Sequence, residues 1–287
     1  MSESKGPRSI EKEICILAPV DVVWKALTDA EELTRWFPLE AKVTPGEGGA
    51  VWMSWKNEFQ FNTPIAVWEP NKRLRLIYME PAPAAKPGEP GMPFEVPFQV
   101  ALDYHLEDRS DETVLRLVHS GFSSEASWDG HYDGTSSGWN FQLGGLKFYL
   151  ERHRGTPRRC VVCRAAIPHM SVADAWNSIM GPRGLVVVEH PAPRAAHERY
   201  AVTTASGDRF EGIVDSFSPP IDFSATVTNW NDAWLRLHID DNALFCRRDV
   251  NLWISIYGLP EEHVSGLQER LDGLFAELFA PPATSGA

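Results

Sequence analysis

The chain has 287 residues, of which 43% are hydrophobic and 11% aromatic, so it can bury a sizeable core, and its length favours two domains. Its formal net charge of −12 argues against nucleic-acid binding and against attraction to an anionic membrane, because both need concentrated positive charge. The polar first ten residues and the lack of a long uncharged apolar run predict neither a signal peptide nor a membrane span, and we therefore expect a cytoplasmic protein.

The first half of the chain predicts one strand, two short helices and then a series of strands. Alternating isoleucines over residues 10–16 predict the opening strand, and Pro19 pre-sets the backbone for a first helix. A second short helix is predicted to start after the capping residues Thr28-Asp29 and to include Leu33, Trp36 and Phe37, and Pro38 ends it. Period-two patterns of apolar residues predict four further strands, over residues 51–55, 73–78, 98–106 and 113–120.

A long amphipathic helix is predicted over residues 138–154, with Trp139, Leu143, Leu146 and Leu150 on its apolar stripe. A sheet with one apolar face needs such a cover. Two glycines, 144 and 145, lie within the helix, and either close packing on the sheet or room for a ligand explains them. Residues 128–133 are predicted to be a glycine-hinged rim before the helix, and residues 80–97, with six prolines, an extended surface flap.

The second half repeats this plan after a polar linker at residues 152–159. A strand over 160–166 and a helix over 172–179 are followed by residues 181–184, a glycine-containing segment where the first half has its second helix. Pro260 opens a closing amphipathic helix. The intervening strands are predicted over residues 200–204, 209–217, 223–228, 234–239 and 250–257. We therefore predict two domains, residues 8–154 and residues 159–280.

Cys160 and Cys163 form a Cys-x-x-Cys pair, which can indicate redox or zinc chemistry. A reactive thiol needs a low pKa, often supplied by a helix N-terminus, whereas this pair lies in a predicted strand. Residues three apart on a strand face opposite sides, and no second pair follows at zinc-site spacing. The pattern favours two structural cysteines, and we predict neither a metal nor a cofactor.

The order of strand, two helices, strand meander and long final helix resembles the SRPBCC superfamily, also called the START-like or helix-grip fold. The first half also contains the motifs Ala18-Pro19, Val23-Trp24, Thr28-Asp29, Trp36-Phe37, the segment Leu-Arg-Leu-Val-His-Ser-Gly-Phe over residues 115–122, and Gly138-Trp139. On these motifs, residues 8–154 resemble the family of homologues of the heat-shock-protein-90 ATPase activator. The second half resembles the superfamily only in its order of elements.

The resemblance implies an α+β fold with two tandem helix-grip domains, each a curved antiparallel sheet wrapped around a long C-terminal helix. It also implies an apolar cavity between sheet and helix. Since seven of the eleven tryptophans lie in the first half, we expect the cavity there. The predicted ligand-binding residues are Trp36, Trp52, Trp55, Phe61, Tyr78, Tyr104, His119, Trp139, Leu143 and Leu146.

Tyr104 and His119 are the polar members of this set, suited to orienting a ligand, although a hydrogen-bonded structural histidine stays an open alternative. No Ser/His/Asp order, phosphate loop or metal pair accompanies them, so we predict no catalytic residue.

Three functions stay open. The first, which we favour, is binding of a small hydrophobic or aromatic ligand in the N-terminal domain, without catalysis. The second is a cyclase- or dehydratase-like enzyme acting on an aromatic or polyketide-type substrate, which would need His119 or Tyr104 to reach that substrate. The third is a co-chaperone-like interaction module with a protein partner, or a homodimer, which would need an exposed apolar patch.

Overall fold

The computed structural model describes residues 7–56, 60–80, 98–187, 195–242 and 247–281. The chain divides into two compact units, Met1–Gly155 and Thr156–Ala287. Each unit holds one seven-stranded sheet and a long C-terminal helix, so the α+β class and the tandem helix-grip architecture are confirmed. Residues 81–97, most of the predicted proline-rich flap, lie outside the described residues.

The described part of the first unit has seven strands, three α-helices and a short 3-10 helix at Ala126–Trp128. Its antiparallel sheet has the order β1-β7-β6-β5-β4-β3-β2, so the α1–α2 segment connects strands at opposite edges. In chain order the elements are β1 (Arg8–Ile16), α1 (Val20–Thr28), α2 (Ala30–Thr34), β2 (Glu40–Thr44), β3 (Ala50–Ser54), β4 (Gln60–Glu69), β5 (Arg73–Glu80), β6 (Phe98–Asp108), β7 (Thr113–Phe122) and α3 (Asp129–Arg152).

The inner face of this sheet packs against α3, as the alternation of apolar residues predicts. Leu74 on β5 is paired with Tyr104 on β6, and Tyr104 with Leu117 on β7, and all three are buried. The outer face is charged: the Asp103 carboxylate accepts hydrogen bonds from Arg73 at 2.9 and 2.7 Å and from Arg75 at 3.3 Å. These guanidinium groups lower the pKa of Asp103 against the opposing effect of burial.

Helix α3 begins nine residues before the predicted start at residue 138, so residues 129–133 are helical and the prediction of a glycine-hinged rim over residues 128–133 is wrong. Glycines at 130, 134 and 138 lower helix propensity, but tertiary contacts compensate. Asp129 forms an ion pair of 2.6 Å with Arg8, and the Tyr132 hydroxyl donates to the Ser9 carbonyl at 2.9 Å. The first turns of α3 are therefore held against β1.

The second unit repeats the order without the second short helix. Residues 181–184 form turns, as their glycines suggest, and a three-residue strand follows them. The sheet order is β8-β14-β13-β12-β11-β10-β9. In chain order the elements are β8 (Arg158–Ala166), α4 (Val172–Ile179), β9 (Leu185–Val187), β10 (Arg199–Thr204), β11 (Arg209–Ser218), β12 (Asp222–Val227), β13 (Ala233–Asn242), β14 (Arg247–Tyr257) and α5 (Glu261–Leu278).

The core of the second unit is continuous and largely aliphatic. Leu235 and Leu237 on β13 and Leu252 and Ile254 on β14 pack with the inward side of α5 in one buried cluster. Cys163 belongs to this cluster, and burial raises the pKa of its thiol above the ordinary value. A buried thiol with a raised pKa is a poor nucleophile, so this residue has the character of a core side chain.

Candidate functional site

The short connection after α2 brings two aromatic rings to the inner side of the first unit. Asp29 caps α2 by accepting a hydrogen bond from the Glu32 amide at 3.0 Å, and the helix ends at Thr34, before the predicted residues 35–37. Trp36 is buried, and its indole Nε1 donates to the Ala26 carbonyl at 2.8 Å. This hydrogen bond fixes the position of the backbone next to Phe37.

Phe37 is half-buried and lies at the centre of an aromatic cluster. Its ring stacks on Trp36, with centroids 5.0 Å apart, and contacts Trp55 at 5.1 Å and Trp139 at 5.6 Å. Trp55 follows β3 directly and Trp139 lies on α3, so one ring joins three parts of the fold. The sequence analysis missed Phe37 as a site residue, although its place beside Trp36 was the available signal.

The cluster continues in two directions from Phe37. Towards the edge of the sheet, Trp55 contacts the half-buried ring of Phe61 on β4 at 6.3 Å, edge to face. Towards the interior, Trp139 contacts Tyr104 on β6 at 6.3 Å in the same geometry. Edge-to-face rings at these separations attract one another. The rings of residues 37, 55, 61, 104 and 139 thus form a connected aromatic cluster that runs from a half-buried edge of the sheet to the interior.

His119 is held by Trp139. The indole Nε1 of Trp139 donates to His119 Nδ1 at 3.0 Å, so this nitrogen is an acceptor and the neutral ring carries its proton on Nε2. Burial, with a smaller contribution from His131, lowers the pKa of His119 to about 3. The imidazole therefore stays uncharged near neutral pH, and it fixes the orientation of the Trp139 ring.

Tyr104 differs in its hydrogen bonding from the tyrosines at positions 132, 149 and 200, whose hydroxyls all donate. Its side chain is only 3% exposed, and its hydroxyl makes no hydrogen bond with any residue that the structure describes. Burial raises the pKa of Tyr104 well above the ordinary value, so the hydroxyl keeps its proton. Tyr104 therefore presents a protonated hydroxyl, a hydrogen-bond donor, on the inner face of the sheet.

Two of the predicted residues do not belong to this cluster as described. Trp52 was predicted to line the cavity, and this is wrong: side chains alternate along β3, so Trp52 lies on the face opposite Met53. The Lys42 ammonium nitrogen lies over the Trp52 ring, 5.0 Å from the ring centroid. The side chain of Tyr78 lies outside the described residues, although its backbone pairs with Val100. Leu143 and Leu146 are buried along α3 beyond Trp139.

A polar network secures α2 against the C-terminal end of α3. The Tyr149 hydroxyl donates to the Glu32 carboxylate at 2.7 Å and accepts from the Gly155 amide at 3.0 Å. Arg35 forms an ion pair with the same carboxylate at 2.6 Å. Sequence patterns do not reveal this network, because its members are distant along the chain. It fixes the wall that carries Trp36 and Phe37.

Open space lies beside the N-terminal half of α3. A Cβ atom added at Gly134 or at Gly138 would meet no atom within 4 Å. The two glycines are four residues apart, so they lie on one side of the helix. Among the described residues, no group of three or more His, Cys, Asp or Glu side chains could hold a metal ion. No described helix is long and apolar enough to cross a membrane.

The first unit is similar to a known protein family. Residues 17–151 match the family described as Activator of Hsp90 ATPase homolog 1-like protein. A comparison with curated proteins found no match.

Several solved structures are similar to parts or all of the chain. A protein from Mesorhizobium loti is 23% identical with a TM-score of 0.42, over 51% of this chain and 98% of that one. The Aha1 dimer from Colwellia psychrerythraea is 20% identical with a TM-score of 0.40, over 52% and 99%. The di-domain ARO/CYC BexL from the BE-7585A biosynthetic pathway is 13% identical with a TM-score of 0.42, over 96% and 99%.

Proposed function

We propose that the first unit, whose residues 17–151 match the family described as Activator of Hsp90 ATPase homolog 1-like protein, has a binding site for a small hydrophobic or aromatic ligand between the sheet and α3. The observation that carries the proposal is the connected aromatic cluster. It starts at the half-buried rings of Phe37 and Phe61 and ends at the buried rings of Tyr104 and Trp139. Apolar surface that continues inwards from an accessible edge is what a hydrophobic ligand needs.

The second unit differs from the first in the side chains of its sheet and in the segment after its first short helix. Its inner face carries buried aliphatic side chains at Leu235, Leu237, Leu252 and Ile254, packed against α5. It has no described counterpart of the Phe37 ring, since turns replace the second short helix there. The second unit has aromatic contacts of its own, because the rings of Trp176, Phe217, Phe223 and Tyr200 touch in series. We assign the site to the first unit because its rings reach the long helix through Trp139.

The geometry gives less support to the enzymatic alternative. His119 Nδ1 already accepts a hydrogen bond from Trp139, and a pKa near 3 makes the imidazole a weak base at neutral pH. The interaction-module alternative needs an exposed apolar face. On the described strands β5 and β6, the outer face instead carries paired charges around Asp103. Non-catalytic binding therefore agrees best with the site.

Native mass spectrometry of the full chain, before and after extraction with an organic solvent, tests the proposal. We expect a co-purifying apolar molecule in the first spectrum and its loss after extraction. Adding Nile red, a neutral hydrophobic dye, to the extracted protein should restore a one-to-one complex. A chain that is bare from the start and that takes up no dye would contradict the proposal.

A further inference from the structure

We propose that the ligand of the first unit is an uncharged molecule with a hydrogen-bond acceptor, such as a carbonyl oxygen, and that the Tyr104 hydroxyl donates to this acceptor. The inference rests on the proposed function, because it specifies the ligand class of the same site. Tyr104 is then the residue that hydrogen-bonds the ligand, and His119 positions the Trp139 ring.

The first step is the missing partner of the Tyr104 hydroxyl. The hydroxyls of three other tyrosines donate hydrogen bonds within the protein. Tyr132 donates to the Ser9 carbonyl at 2.9 Å, Tyr149 to the Glu32 carboxylate at 2.7 Å, and Tyr200 to the Thr226 carbonyl at 2.9 Å. Tyr104 makes no such bond within the described residues, although only 3% of the residue is exposed. A tyrosine hydroxyl in apolar surroundings gains from a hydrogen-bond partner that phenylalanine would not need. A ligand oxygen supplies the missing partner.

The surroundings of the hydroxyl select an uncharged ligand. Leu74 and Leu117 flank Tyr104 on the neighbouring strands, and Leu102 and Leu106 lie two residues away on its own strand. All four are buried. A charged ligand group placed among them would lose its hydration with no described opposite charge to compensate, whereas a carbonyl loses little and gains one hydrogen bond.

Donation, and not acceptance, is the expected role of this hydroxyl. Burial raises the pKa of Tyr104, which favours the protonated phenol. His119 is the other polar group near Trp139, but its Nδ1 is already an acceptor for the indole. His119 is therefore a positioning residue, which holds the Trp139 ring edge-to-face against Tyr104. The ring of Trp139 offers contact to the ligand body, and Tyr104 orients its oxygen.

Two probes of nearly equal shape test the assignment on the full chain. 2-Acetylnaphthalene carries a carbonyl acceptor, and 2-ethylnaphthalene lacks it. We expect the wild-type protein to bind the ketone roughly 2- to 12-fold more tightly, the range that one net hydrogen bond provides. Tyr104→Phe should abolish this preference and leave the affinity for 2-ethylnaphthalene unchanged. Equilibrium dialysis gives both dissociation constants.

Tyr200→Phe is the matched control, because it removes a hydroxyl that already donates to the Thr226 carbonyl in the second unit. It should keep the ketone preference and lower the melting temperature, whereas Tyr104→Phe should not lower it. A ketone preference that survives in Tyr104→Phe, or none in the wild type, would overturn the inference while leaving the proposed function intact. A lowered melting temperature of Tyr104→Phe would reveal a structural partner and also overturn it. Failure of both probes to bind the wild type would contradict the proposed function itself.

Discussion

Replacing His119 by glutamine tests the buried, neutral state of this residue. Burial lowers its pKa from the ordinary 6.5 to about 3. At pH values between these two pKa values, the unfolded chain binds a proton at His119 that the folded chain does not. The contribution of His119 to the free energy of unfolding is therefore largest above pH 6.5 and is lost as the pH falls. One pH unit corresponds to about 1.4 kcal/mol once the unfolded histidine is fully protonated, so acidification from pH 6.5, where it is half protonated, to pH 4.5 should destabilise the wild type by about 2 kcal/mol through this residue.

His119→Gln lacks this titration. The variant should be less stable than the wild type at pH 7, because it loses the imidazole ring that contacts Phe122 at 4.6 Å, and the gap should close as the pH falls. Urea unfolding at a series of pH values from 7 to 4.5 measures the gap. His263→Gln, at an exposed position on α5, is the control, and its free energy of unfolding should differ from that of the wild type by the same amount at each pH. A gap between His119→Gln and wild type that is constant from pH 7 to 4.5 would refute a buried neutral histidine.

Three further substitutions test the site and its supports. Trp139→Ala should weaken Nile red binding more than Trp253→Ala, measured by fluorescence titration, and equal losses would count against a site confined to the first unit. Gly138→Ala should stabilise the protein by about 1 kcal/mol in urea unfolding, because the added methyl group meets no atom within 4 Å, and a loss of stability would show that the space is filled. Tyr149→Phe should cost about 1–3 kcal/mol, since it leaves the buried Glu32 carboxylate with one partner fewer, and an unchanged midpoint would contradict that role.

Local patterns predicted most of the fold. Helix α4 matches the prediction at both ends, and α5 begins directly after Pro260, because capping residues and apolar spacing act within a few residues. Strand β4 was not predicted, since Pro64 within it argues against a strand interior. The start of α3 was misplaced because its glycines suggest a loop, while the contacts that stabilise it come from Arg8 and Ser9, far away in sequence.

The site was predictable only in part, for a related reason. The richness in aromatic residues indicated a cavity lining, and Trp36, Trp55, Phe61, Tyr104 and Trp139 are indeed joined by ring contacts through Phe37. Composition cannot assign a face, however, and the strand alternation that excludes Trp52 was visible in the sequence but was not applied to it. The unpartnered hydroxyl of Tyr104 could not be foreseen, because a missing hydrogen bond depends on every neighbour in three dimensions.

A crystal structure of the full chain with bound 2-acetylnaphthalene tests the central claim most directly. We expect density for the naphthalene rings between α3 and the inner face of the first sheet, in contact with Trp139, and the ketone oxygen within about 3 Å of the Tyr104 hydroxyl. Density only on an outer surface or in the second unit would contradict the account. So would a first unit whose own side chains fill the space beside Gly138.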